Sequence, residues 1–148
     1  MSVEAADTYN LERYLEAQKS TYDEALVELR AGGKRTHWMW FIFPQLAGLG
    51  TSSTAVRYAI GSLDEARAYL SHPILGPRLA ECAEAVLAVQ GKSATEIFGL
   101  PDDIKLRSSA TLFLQVSPAN SVFHWILDKY YSSEPDTRTL ELLSGDSA

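Results

Sequence analysis

His37 follows Lys34 and Arg35 and opens the aromatic run Trp38-Met39-Trp40-Phe41-Ile42-Phe43. Histidine is the side chain whose charge changes near neutral pH, so at a boundary between solvent and core it suits proton transfer or contact with a ligand. A histidine at a helix start equally often only bonds nearby backbone. His72, before Pro73, and His124 read as structural. A second cluster, Asp102-Asp103-Ile104-Lys105-Leu106-Arg107-Ser108-Ser109, sets Asp102, Lys105 and Ser109 three and four residues apart, hence along one helical face. A lysine can activate a serine. The order Lys-x-x-Ser, however, reverses the hydrolase motif Ser-x-x-Lys, so charge stabilisation is the better role for Lys105.

The third candidate is Gly48-Leu49-Gly50-Thr51-Ser52-Ser53, which enters a short helix through Tyr58 and Ile60 with Arg57 one turn in. Glycines there let backbone N–H groups converge on an anion at a positive helix end. A dinucleotide fingerprint needs a third glycine and a preceding parallel sheet, and an ordinary turn is the competing reading. Together these residues predict a pocket between segments 34–58 and 102–109 for a small anionic, phosphate- or nucleotide-like ligand. Its expected lining is Arg35, Trp40, Gln45, Gly48, Gly50, Ser53, Arg57, Tyr58, Ser108 and Ser109. If the chain is an enzyme, His37 is the acid or base and Lys105 the charge stabiliser. The alternative is a non-catalytic protein-interaction module whose aromatic 38–43 segment docks a partner, because tryptophan and tyrosine are favoured at contact hot spots.

Helices must position these groups. Leu11, Tyr14, Leu15, Gln18, Tyr22, Ala25, Leu26 and Leu29 recur at three- and four-residue steps after Asn10, a predicted N-cap. The pattern predicts one helix over 11–31, stopped by Gly32-Gly33, with Glu12, Glu16, Lys19, Asp23 and Glu28 on its polar side. Ser62-x-x-Glu65 and Ser93-x-x-Glu96 read as capping boxes. Further helices are expected near 63–70, 77–90, 102–116 and 121–131, with a short one at 137–143. Residues 37–43 fit either a buried strand or a turn or two of helix. The lack of a second good strand favours helix, with Thr36 as its cap. The expectation is an all-α, compact single-domain bundle of about six to eight helices, without a substantial sheet, over 1–148 and with loose ends at 1–8 and 144–148.

The 148 residues suffice for one core, and 46% hydrophobic with 22% charged residues is ordinary globular usage. A net charge of -6 argues against nucleic acid or anionic lipid as a partner. Cys82 is the only cysteine, which excludes an internal disulfide and a cysteine-rich zinc site. The three histidines are scattered and the acids lack calcium-loop spacing, so neither a metal nor another cofactor is expected. The first ten residues lack a basic and then apolar pattern, and the longest aromatic–aliphatic run, 38–43, is far too short to span a bilayer. A cytoplasmic setting is expected.

Three blocks, Lys34 to Gly50, Arg57 to Leu79 and Asp102 to Phe113, in this order and spacing, resemble the family known as domain of unknown function 1810. The His-Trp-x-Trp-Phe-x-Phe-Pro-Gln run, residues 37–45, is the most specific element of the likeness, which covers nearly all of the chain. The resemblance implies a compact, mostly helical fold and brings no activity with it. The label calpastatin carried by some members fits badly: that inhibitor is a disordered, strongly polar chain, and this one holds a full set of core residues.

Overall fold

A computed structural model describes residues 7–145 of the chain. Ten helices follow one another among them: α1 (Glu12–Gln18), α2 (Tyr22–Arg30), α3 (Met39–Ile42), α4 (Ser53–Arg57), α5 (Leu63–Ser71), α6 (Leu75–Ala88), α7 (Ala94–Phe98), α8 (Asp102–Leu114), α9 (Val122–Tyr131) and α10 (Thr137–Leu143). The fold is all-α, and the one extended pairing among the described residues is a parallel bridge between Leu46 and Ile60. Ten helices exceed the six to eight expected, for two reasons. The predicted first helix breaks at Lys19-Ser20-Thr21, where small hydroxyl side chains favour turns over helix interiors. The short α3, α4 and α7 also count separately.

Caps follow local chemistry, with some exchanges of partner. Asn10 lies at a φ of 54° and does not cap α1; the Asp7 carboxylate accepts from the N–H groups of Leu11 (2.6 Å) and Glu12 (2.9 Å) instead. The Ser93–Glu96 box closes in both directions. The Ser62 hydroxyl accepts from the Glu65 N–H, but the Glu65 carboxylate turns to the Gly61 N–H and to Arg13, whose guanidinium lies 2.9 Å away. His72 starts α6 two residues before the predicted boundary, its Nδ1 accepting from Ile74 and Leu75 N–H. Of the loose ends expected at 1–8 and 144–148, residues 1–6 and 146–148 lie outside the described residues, and Asp7 is tied to the start of α1.

Two long helices organise the core. α8 packs on α5, α7, α9 and α10, while α6 packs on α2, α5 and α9. In the same core cluster lie Tyr14, Trp38, Phe43, Tyr69 and Phe113, all effectively sealed from solvent. The aromatic run therefore belongs mainly to the core: the Trp38 ring sits 6.4 Å from Phe43 and 6.5 Å from Phe98. Residues 39–42 are helical, and Trp38, not Thr36, occupies the position before the first turn.

Candidate functional site

The surroundings of residues 34–40 are set by a buried carboxylate. Glu28, which the periodicity puts on the polar side of the first helix, is only 5% exposed. Its Oε1 accepts from the N–H groups of Arg35 (2.8 Å) and Thr36 (3.1 Å) and from the Trp38 indole (2.8 Å), and its Oε2 accepts from the Thr36 hydroxyl (2.7 Å). Burial opposes the charge, but the bonds from Arg35, Thr36 and Trp38 outweigh it and hold the carboxyl at about 2. The sequence did carry a signal: Ala25, Glu28, Leu29 and Gly32 share one helical face, so a charge stands in a core row.

With the loop pinned, Lys34 reaches α8. Its ammonium lies 2.9 Å from Asp102 Oδ2, donates to the Thr36 carbonyl at 2.6 Å, and stands 5.0 Å from the Trp38 ring centre. Lys105 approaches the same carboxylate at 3.5 Å and lies over the Trp40 ring at 4.9 Å. One carboxylate thus links two lysines, and Lys34 and Trp40 meet the start of α8. Arg35 and His37 are exposed on this loop, and the Trp40 ring is half-buried. Lys34 and Asp102, absent from the predicted set, form the joint itself. Lys34 is 8% exposed and spent on internal partners, whereas Lys105 keeps 22% of its side chain open to solvent.

Other predicted residues fall elsewhere. Trp40, Gln45, Gly50 and Tyr58 do line one cleft, but its volume is about 10 Å³, room for a single water at most. The glycines of the 48–53 loop serve packing and backbone shape. A Cβ on Gly50 would stand 2.6 Å from the Ala55 Cβ, and Gly48 has a φ of 102°. Ser52, not Ser53, caps α4, accepting from the Ala55 N–H at 3.1 Å. Arg57 ends α4 with its guanidinium 5.6 Å from the Tyr58 ring centre, at the far end of that helix from the loop. This five-residue helix is too short to carry the anion cradle read from the glycines.

Ser108 and Ser109 are 2% and 1% exposed. The Ser108 hydroxyl donates to the Ile104 carbonyl at 3.2 Å, and the Ser109 hydroxyl has no hydrogen-bond partner among the described residues. Neither meets solvent, so both leave the ligand set: their turn of α8 faces the core, while Lys105 faces out. The thiol of Cys82 is likewise sealed, and burial pushes it up to about 12, which makes it a poor nucleophile. A larger hollow of about 390 Å³ opens between the Leu46–Ala47 turn, the start of α5 at Gly61–Asp64, and Leu142–Leu143. No predicted site residue lines it.

Similarity to known proteins points the same way as the fold. A family model described as "Protein of unknown function (DUF1810)" matches residues 8–143. A crystal structure of the conserved hypothetical protein Rv1873 from Mycobacterium tuberculosis superposes with a TM-score of 0.92 at 56% identity, covering 93% of this chain and 99% of that one. Among curated proteins, none matches.

Proposed function

The chain belongs to the DUF1810 family, whose description names no activity, and from that premise we propose that it binds a small anion on the open face formed by Arg35, His37, Trp40 and Lys105. The observation that supports this reading is the sharing of Asp102 by Lys34 and Lys105, at 2.9 and 3.5 Å. Lys34 takes up most of that carboxylate from within, so Lys105 keeps an ammonium that reaches solvent, and Arg35 and His37 are exposed on the neighbouring loop. Phosphate-like groups suit such a site, because guanidinium and ammonium donors make charge-assisted hydrogen bonds to their oxygens. The face is open, so the ligand is held by its charged group more than by enclosure.

Binding is the better-supported reading than catalysis. Lys105 suits charge stabilisation; the serines read beside it, Ser108 and Ser109, are buried away from it, and His37 is the remaining candidate acid or base. The docking alternative through residues 38–43 loses support because Trp38, Met39, Ile42 and Phe43 are all buried. A cytoplasmic setting belongs to the same proposal and rests on a lone, reduced cysteine.

Thermal-shift measurements with inorganic phosphate and nucleotides test the reading, since a ligand of the folded state raises its apparent stability. Lys105→Ala and Arg35→Ala are each expected to weaken binding by about 1.5–3 kcal/mol. The melting of the free protein should hardly change, as Asp102 retains Lys34. Variants that bind as tightly as the parent would remove the site.

A further inference from the structure

Hydrogen-bonding capacity, not net charge, sets apart the small cleft beside Lys105. The indoles of Trp38 and Trp125 donate to Glu28 and to the Asn120 carbonyl, whereas the indole N–H of half-buried Trp40 has no partner among the described residues. The same holds for the Gln45 side-chain amide and the Tyr58 hydroxyl, both on half-buried residues that line this cleft with Trp40. Polar groups at such depth ordinarily find partners. Unspent here are one donor, an amide that both donates and accepts, and a hydroxyl that does either. Two aromatic rings stand among them, with Lys105 4.9 Å from the Trp40 ring centre and Arg57 5.6 Å from that of Tyr58.

The walls of the cleft are held unequally. The Gln45 carbonyl accepts from the Ile60 N–H at 2.8 Å, and the Arg57, Tyr58 and Ala59 carbonyls accept from Arg13 and Tyr14 at 2.7, 2.7 and 2.8 Å. Gln45 and Tyr58 are thus fixed. Gly50 and Ala55, which complete the lining, belong to a loop whose hydrogen bonds over 48–56, among the described residues, stay within segment 48–59. No residue from 47 to 59 is buried, and the Leu46–Ile60 bridge joins the ends of this loop. A compact loop tied only at its base can lift as a unit.

We infer that the cleft takes the base of a nucleotide whose phosphate lies at Lys105, with residues 48–56 lifting to admit it. The inference rests on the anion-binding reading and names its ligand class. A nucleobase is flat and stacks on aromatic rings such as Trp40 and Tyr58, and its edge carries donors and acceptors side by side, which the Gln45 amide matches. The closed cleft, at about 10 Å³, has room for one water, so the ring enters as Gly50 and Ala55 move out. A free phosphate uses none of these groups beyond Trp40.

Calorimetric titration with the four common nucleoside monophosphates, ribose 5-phosphate and inorganic phosphate tests this. The parent protein should bind at least one nucleotide about tenfold or more tighter than ribose 5-phosphate. Gln45→Leu and Tyr58→Phe, checked for folding by circular dichroism, should each cut that preference by about threefold or more and leave ribose 5-phosphate binding intact. Lys105→Ala should weaken all the phosphates alike. In amide NMR of the parent, which needs no variant, the nucleotide should shift Gly50 and Ala55 in addition to the residues that inorganic phosphate shifts. Equal affinity for nucleotides and ribose 5-phosphate, a preference that both variants retain, or no nucleotide-specific shift at Gly50 and Ala55 overturns the base-binding inference, while a phosphate response keeps the anion site. Absence of binding by every probe overturns both.

Discussion

Glu28 shows how one side chain can organise a site that it does not line. Its four bonds hold the 35–38 turn in an arrangement in which Lys34 reaches Asp102. Its carboxyl sits at about 2, below the roughly 4.3 of an unfolded chain, so between those values the unfolded state binds more protons. The stability that Glu28 contributes is therefore complete above the unfolded value and is lost as pH falls from there through about 2. Denaturant melts of Glu28→Gln should show a loss of about 1.5–3 kcal/mol at neutral pH and a shallower acid limb than the parent. Parallel limbs would contradict this account. Ser109 has the reverse character: its buried hydroxyl lacks a partner among the described residues, so Ser109→Ala is expected to leave stability unchanged or raise it by up to about 1 kcal/mol, read from the same melts. A substantial loss would reveal a partner for that hydroxyl.

Among the helices, the crossing of α5 and α6 depends on Gly76, where a Cβ would fall 2.1 Å from the Leu70 carbonyl oxygen. Alanine is the better helix former by about 1 kcal/mol, but the obstructing atom is backbone and cannot swing aside. Gly76→Ala should therefore cost about 3 kcal/mol in a thermal or denaturant melt, and a gain in stability would show that the two helices slide apart freely. Nothing in the sequence marks this glycine, because its reason is a contact with the preceding helix. What can be read from sequence is local: α5, α6, α8 and α9 fall within about two residues of the spans their spacing predicts, and the Ser93–Glu96 box closes in both directions. The break between α1 and α2 and the caps supplied by Asp7 and His72 were not legible, since several polar residues near each helix start could fill the role and tertiary packing selects among them.

At the scale of the molecule, the sequence suggests a pocket between residues 34–58 and 102–109; what meets in the structure is Lys34 and Trp40 with Asp102 and Lys105, while the glycine loop packs against Ala55 instead. The reason is physical. A Gly-x-Gly turn looks the same whether its glycines admit a ligand or only let Gly50 pack against Ala55, and that distinction is made by the neighbours. What is proposed is an anion site at Arg35, His37, Trp40 and Lys105 on an acidic chain, whose attraction for anions should fade as salt screens it. The central claim is the position of that site. Two-dimensional amide and indole NMR of the parent protein, titrated with inorganic phosphate at low ionic strength, tests it most directly. The account predicts shifts concentrated at Arg35, His37, the Trp40 indole and Lys105, fading with added salt; shifts confined to Gly48–Ser53 or to the hollow at Leu46–Ala47 and Gly61–Asp64, or none at all, would contradict it.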